Sequence, residues 1–218
     1  MVLMERYQKA VDELFAKVRA TQTEKIIETG ELFANAVING GKIMLSGICH
    51  SIEQDLLCRG GGPIFYQEYK NFEHRDLLKA GDVLVVSSVS GRTKSVVDLT
   101  YEMVQRGVKV VAFTSMEYAV QVDPVHASGK KLYEMATLTL DNCAPAAEAM
   151  LEVEGLEARF AAASGIASDY IMWCVTSVMV EKMLEMGYTP GILMSANFPG
   201  GKEYNDTVVE PHYEQYGY

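Results

Sequence analysis

Short apolar runs bounded by glycines and hydroxyl residues alternate along this chain with stretches of helical spacing. The clearest unit is DVLVVSSVSGRTKSVVDL, residues 82–99. A five-residue apolar-leaning run turns through Ser87, Ser88, Ser90, Gly91 and Thr93, and Val96, Val97, Thr100, Met103 and Val104 then fall at helical intervals. The spacing predicts a buried strand at 83–87 and a helix over 93–106, stopped by Gly107. Further strands are expected at 43–45, 63–69, 108–114 and 136–140, and further helices at 52–58, 145–160 and 164–186. Residues 3–39 carry two apolar faces, one through Tyr7, Val11, Leu14, Phe15 and Val18, the other through Ile26, Ile27, Leu32, Phe33, Ala36 and Val37. Thr21 and Thr23 suggest a bend between them. Residues 70–79 read as irregular, 115–131 as a loop with one helical turn, and the Gly-, Pro- and Tyr-rich chain from Thr189 as an irregular tail packed on its own domain or on a second subunit.

Strands alternating with helices in this order imply an α/β fold with a mostly parallel sheet covered by helices. One domain is expected, with a helical extension at 1–40, an α/β core at 41–187 and the tail at 188–218. The 218 residues are 49% hydrophobic and carry a formal net charge of −10, with no Lys/Arg cluster, so no nucleic-acid partner is expected. The apolar run at 171–180 is too short to span a bilayer, and no membrane partner is expected. Cys49, Cys58, Cys143 and Cys174 form no C-x-x-C pair and no secretory signal is visible, which points to reduced thiols in a cytoplasm. Cys58 and Cys174 are expected in the core, and Cys49 stands in a turn before a helix. The 171–180 run and the long N-terminal helix offer more apolar face than one sheet needs, so a homodimer or homotetramer is expected.

The candidate chemistry lies in two turns. At 88–93, hydroxyls and backbone amides gather at the positive end of a helix, with Arg92 adding charge and Gly91 permitting close approach, an arrangement suited to phosphate. Thr93 alone would also serve as an ordinary helix cap. A second strand–turn–helix, GKIMLSGICHS at 41–51, places Gly47 and Ser51 at its turn. In an open parallel sheet, ligands sit where neighbouring strand-end loops diverge. Around these turns the acid–base candidates are Glu53, His50 and Glu148, each of which would equally serve as a helix-end or surface residue. The four histidines, at 50, 74, 126 and 212, lack paired ligand spacing, so no metal is expected. G-x-G-x-x-G, a Walker P-loop and G-x-S-x-G are all absent, and no cofactor is expected.

With GICHS at 47–51, SVSGRT at 88–93 and the strand VVAFT at 110–114, the chain resembles the sugar isomerase (SIS) domain family over roughly residues 30–185. SANFPGG at 195–201 and DNCAP at 141–145 are similar to a bacterial subgroup labelled as sugar or phosphoheptose isomerases. The resemblance implies a flavodoxin-like three-layer αβα sandwich with a five-stranded sheet and a phosphorylated sugar held by the two Ser-rich loops. It also implies a dimer or tetramer with sites at subunit interfaces. It implies Ser51, Ser88, Ser90 and Thr93 as phosphate ligands and Gly91 as the close-approach glycine; Asn142 is added as a candidate contact at the fifth strand end. The chain departs from phosphoheptose isomerases in two places: IEQDLLC after the first loop lacks their His, and SDYIMWCVTSVMVEKM lacks their Gln and His. Three functions follow as expectations: an aldose–ketose sugar-phosphate isomerase, a non-catalytic phosphosugar-binding regulatory module, or an amino-sugar-phosphate lyase or etherase.

Overall fold

The computed structural model describes residues 2–218 except Ile48 and Ser51, with Asn71 and Phe72 described by backbone alone. Helix α1, Leu3–Ile38, runs unbroken for 36 residues, about 54 Å at 1.5 Å per residue. The expected bend at Thr21 and Thr23 does not occur. Their hydroxyls donate back to the carbonyls of Lys17 (2.8 Å) and Arg19 (2.7 Å), so they stay inside the helical ladder. One stripe of α1, from Leu14 through Val18, Ile26 and Phe33 to Val37, is buried. The chain turns at Gly40, with φ +76°.

Five strands follow: β1 Ile43–Leu45, β2 Tyr66–Glu68, β3 Val83–Ser87, β4 Lys109–Thr114 and β5 Leu138–Asp141. They form one parallel sheet in the order β2-β1-β3-β4-β5. Short helices α2 (Glu53–Leu56), α3 (Asn71–His74) and α5 (Met116–Ala119) and the longer α4 (Lys94–Gln105) fill the crossovers. Period-two alternation sends Val83 and Val85 to one face of β3, Leu84 and Val86 to the other, and all four are buried. Coverage on both faces is why these strands read as continuous apolar runs. One face packs on α1 and on α6, Ser164–Glu185; the other packs on α4 through Val97 and Met103. The sandwich therefore has the expected three αβα layers. Helices α1 and α6 meet at Gly30, where a Cβ would stand 2.6 Å from Val178 Cβ and 2.9 Å from the Val175 carbonyl oxygen. Strand order reverses between β1 and β3, because the chain leaves β1 toward β2 and returns on its other side to β3. Ligands of open α/β sheets bind at such a reversal.

Three further expectations change. Residues 145–160 do not form a helix. They contain β6 (Ala149–Leu151), which pairs antiparallel with β7 (Phe160–Ala162). Ala147 and Glu148 take φ of +60° and +81°, which no right-handed helix accommodates. The tail is helical at its end: α7 (Gly201–Tyr204), a π-helical turn at Asn205–Val209 and α8 (Glu210–Tyr216), stopped by Gly217 at φ +82°. It docks on its own chain, with the Gln67 side-chain amide donating to the Tyr213 hydroxyl (3.0 Å) and Ile192 bridging to Pro63. This covers the β2 side of the sheet, an otherwise open edge. Cys58 is exposed and Cys174 half-buried, because α2 is only four residues long and ends before Cys58. Among the described residues, no helix is long and apolar enough to cross a membrane.

Candidate functional site

The turn between β3 and α4 is held from below. The Ser88 amide donates to the Phe113 carbonyl (3.0 Å), and the Ser115 amide donates to the Val89 carbonyl (2.9 Å), fixing the turn to the end of β4. The Gly91 amide closes the turn on the Ser88 carbonyl (2.8 Å) at φ +66°, and a Cβ on Gly91 would approach Ala119 Cβ to 3.1 Å and Thr114 Oγ1 to 3.2 Å. Gly91 is thus required both by backbone conformation and by space. Ser88 is buried, and its hydroxyl lies 2.8 Å from Thr93 Oγ1 while accepting the Thr93 amide (3.2 Å). Its hydroxyl pins the turn from inside.

Ser90 is half-buried, and Arg92, Thr93, Lys94 and Ser95 are exposed. The Thr93 hydroxyl makes no cap hydrogen bond to α4, although its carbonyl accepts the Val96 and Val97 amides at 3.0 Å each. The amides of Lys94 and Ser95, in the first turn of a 12-residue helix, have no helical carbonyl to bond. Hydroxyls, amides and the helix dipole therefore face outward together at one place.

The loop after β1 lies against this turn. The Cys49 amide donates to the Ser87 hydroxyl at 2.9 Å, across the reversal of strand order. Gly47 is exposed and His50 is exposed with φ +65°; Cys49 takes φ +33°. Ser51 lies outside the described residues. Glu53 opens α2 and is buried. The buried Cys49 sulfur sits 3.1 Å from the Ser87 hydroxyl, accepts the Ser168 hydroxyl (3.1 Å) and is approached by the Asn142 side-chain amide at 3.8 Å. Burial pushes its thiol pKa up, so the sulfur stays protonated and serves as a knot between four segments. Asn142 is fully buried, and its Oδ1 accepts the Ala144 amide (3.1 Å), so it holds the knot in place.

Glu148 is half-buried and caps α6, its Oε1 accepting the Ser164 amide at 2.8 Å. It is near enough to raise the Cys49 pKa by its charge. One residue on, a Cβ at Gly165 would meet the Cys49 carbonyl oxygen at 3.7 Å. The first turn of α6 therefore sits beside the β1 loop. Of the seven described non-glycine residues at positive φ, five (Cys49, His50, Cys143, Ala147 and Glu148) lie on the loops after β1 and β5, the kind of local strain that gathers at functional sites.

Sequence reasoning named Glu53, His50, Glu148, Ser90, Arg92 and Thr93, and the structure places them on the segments that follow β1, β3 and β5. It gave no role to Ser168 or Asp169. Ser87 was read as the end of the strand and the start of the hydroxyl turn. The available signal was Asp169 itself, a lone acid one helical turn from Gly165. Among the described residues, no group of three His, Cys, Asp or Glu side chains stands close enough to hold a metal ion. A groove of about 670 Å³ runs along the outer face of α6 from Trp173 to Glu185 and is mostly apolar; its lining includes none of the described residues of 47–53 or 88–95.

A SIS domain family model matches residues 64–115, from the β2 strand through the hydroxyl turn to the end of β4. A UPF0309 protein of Listeria monocytogenes is 32% identical over 215 residues, covering 91% of this chain and 92% of its own length. The fold is similar to that of a phosphoheptose isomerase from Neisseria gonorrhoeae, with TM-score 0.55 at 17% identity over 82% of this chain and 97% of that one. It is also similar to the Vibrio vulnificus NanR protein complexed with ManNAc-6P, with TM-score 0.55 at 15% identity over 98% of this chain and 70% of that one. At these identities the likeness is one of fold.

Proposed function

The chain belongs to the UPF0309 family of bacterial SIS-domain proteins, and from that premise we propose that it binds a phosphorylated sugar at the β1 and β3 loops and interconverts its aldose and ketose forms. The phosphate is seated by Ser90, Thr93, Arg92 and the amides of Lys94 and Ser95, with Gly91 allowing the close approach and Gly47 and Ser51 closing from the β1 loop. Ser88 and Asn142 position this seat from beneath. The observation that carries the reading is the Cys49–Ser87 hydrogen bond, which sets the first loop against the hydroxyl turn at the sheet's reversal point. The sugar then extends over the β1 loop toward His50, Glu53 and Glu148. Isomerisation needs ring opening and the movement of one proton between adjacent carbons, work suited to carboxylates and imidazoles. The protein acts as a homo-oligomer, a reading supported by exposed apolar residues such as Leu184 (54% exposed) on the outer face of α6.

A panel of aldose and ketose phosphates, followed by NMR for interconversion and by melting temperature for binding, tests this directly. Turnover of one pair, with no response to the unphosphorylated sugars, is the expected result. Binding without turnover would favour the second reading, a phosphosugar-binding regulatory module. The absence of Gln and His from α6 is the observation that favours it. Loss of a substituent in place of isomerisation would identify a lyase or etherase.

A further inference from the structure

Helix α6 carries one acid on the face it turns to the β1 loop. Gly165 faces the Cys49 carbonyl, as the 3.7 Å contact above shows. Two turns along, the Trp173 indole N–H donates to Asp55 Oδ2 at 3.0 Å. Residues four apart share a helix face, so Asp169, midway between these two, faces the segment from Cys49 to Asp55. That segment is the β1–α2 connection, which carries His50 and Glu53. The Oδ1 atom of Asp169 is shielded from solvent and has no hydrogen-bond partner among the described residues. The cation whose charge acts on it is Arg59, which is ion-paired to Asp55 and lies over the Trp173 ring at 6.0 Å. A buried carboxylate oxygen left unpaired costs stability, and a purely structural acid would be paired. Burial raises the Asp169 pKa, making the carboxylate a stronger base than one in water.

We propose that Asp169 is the proton-transfer residue of the sugar-phosphate site, acting from the α6 face on a sugar held at the β1 loop. This rests on the sugar-phosphate reading above. In the step, the Asp169 carboxylate takes the proton from the carbon beside the open-chain carbonyl. The C–H electron pair becomes the carbon–carbon double bond of an enediol, and the carbonyl oxygen takes a proton from water. Asp169 then returns its proton to the former carbonyl carbon while the neighbouring hydroxyl gives its proton back to water and becomes the new carbonyl. Protons balance and no oxidant or reductant enters. Glu148 is held in place by the Ser164 amide, which leaves it as the cap of α6 and a charge beside the site.

The test is deuterium incorporation at the carbon next to the carbonyl, read by NMR in D2O with the sugar-phosphate panel, beside binding read by melting temperature. Asp169→Asn is expected to bind within about twofold of wild type and to lose at least about 100-fold in exchange rate. Exchange at the wild-type rate in Asp169→Asn overturns the proposal. Wild type that binds sugar phosphate without any exchange overturns it too, leaving the binding reading in place. Wild type that binds none of the panel brings down both. Asp169→Ser is the second variant. If neither variant folds, Asp169 is a structural residue and the proposal fails.

Discussion

The backbone amide of Cys49 donates to the side-chain hydroxyl of Ser87 at 2.9 Å, joining the loop that leaves β1 to the last residue of β3. These two strands are neighbours in the sheet but are separated in the chain by β2 and its crossovers. The bond therefore fixes how far apart the two candidate ligand loops stand. Ser87→Ala removes its acceptor and leaves the Cys49 amide unpaired. We expect a loss of about 1 kcal/mol in stability by denaturant titration. Sugar-phosphate affinity should fall by more than that stability loss explains, because the first loop is no longer held in place.

Gly30 sets the contact between α1 and α6. A methyl group there would press on Val178 and on the Val175 carbonyl, and backbone cannot rotate aside as a side chain can. Gly30→Ala gains helix propensity in α1 but overpacks the interface, and overpacking dominates. The expected net cost is about 1–3 kcal/mol. In thermal melts this is a fall of roughly 2–4 °C per kcal/mol for a chain of this size.

The four thiols should separate by reactivity. Cys58 is exposed. Cys49 and Cys143 are buried, and burial pushes both thiols above the ordinary range. Only the thiolate reacts quickly with alkylating reagents. Mass spectrometry of protein treated with iodoacetamide near pH 8 should therefore find Cys58 modified first, with Cys49 and Cys143 protected until the protein is unfolded. Early modification of Cys49 would contradict its place as a buried knot.

Asp169 makes stability depend on pH with a definite sign. Burial raises its folded-state pKa above that of the unfolded chain, so the folded protein binds its proton more tightly. Stability therefore falls as pH rises from the ordinary carboxylate range through the raised one. Asp169→Asn removes this loss. It should melt at least as high as wild type at pH 7, and any advantage should vanish below about pH 4, where both states of the wild type are protonated. A variant markedly less stable at pH 7 would mean that the carboxylate is paired in solution. A stabilising substitution that abolishes activity is the usual signature of a strained functional residue.

The sheet was readable in the sequence because its strands are buried on both faces, and each appears as an apolar run closed by Gly, Ser or Asp; 43–45 and 83–87 match the observed strands residue for residue. The hydroxyl turn at 88–93 was readable for a similar local reason, since its geometry depends on its own glycine and on the helix that follows. What escaped depends on distant partners. Residues 149–162 carry apolar spacing compatible with a helix, and only the positive φ at Ala147 and Glu148 and the pairing of Leu151 with Phe160 make them a hairpin. Thr21 and Thr23 have two outcomes in a helix, to interrupt it or to bond back to it, and the long packing of α1 on α6 favours the second. The tertiary contacts that Asn142 and Ser88 make with Cys49, Ala144 and Thr93 could not be read from their residue types. Asp169 was passed over because its meaning comes from what lies across from it, the β1–α2 segment more than a hundred residues earlier.

Titration of isotope-labelled protein with a sugar phosphate, reading backbone amide shifts residue by residue, tests the shared anion seat most directly. The account predicts the largest shifts at residues 47–53 and 90–95, saturating together with one dissociation constant, and lost when Ser90→Ala and Thr93→Val are combined. Shifts centred instead on the α6 groove between Trp173 and Leu184, or saturation of only one of the two loops, would contradict it.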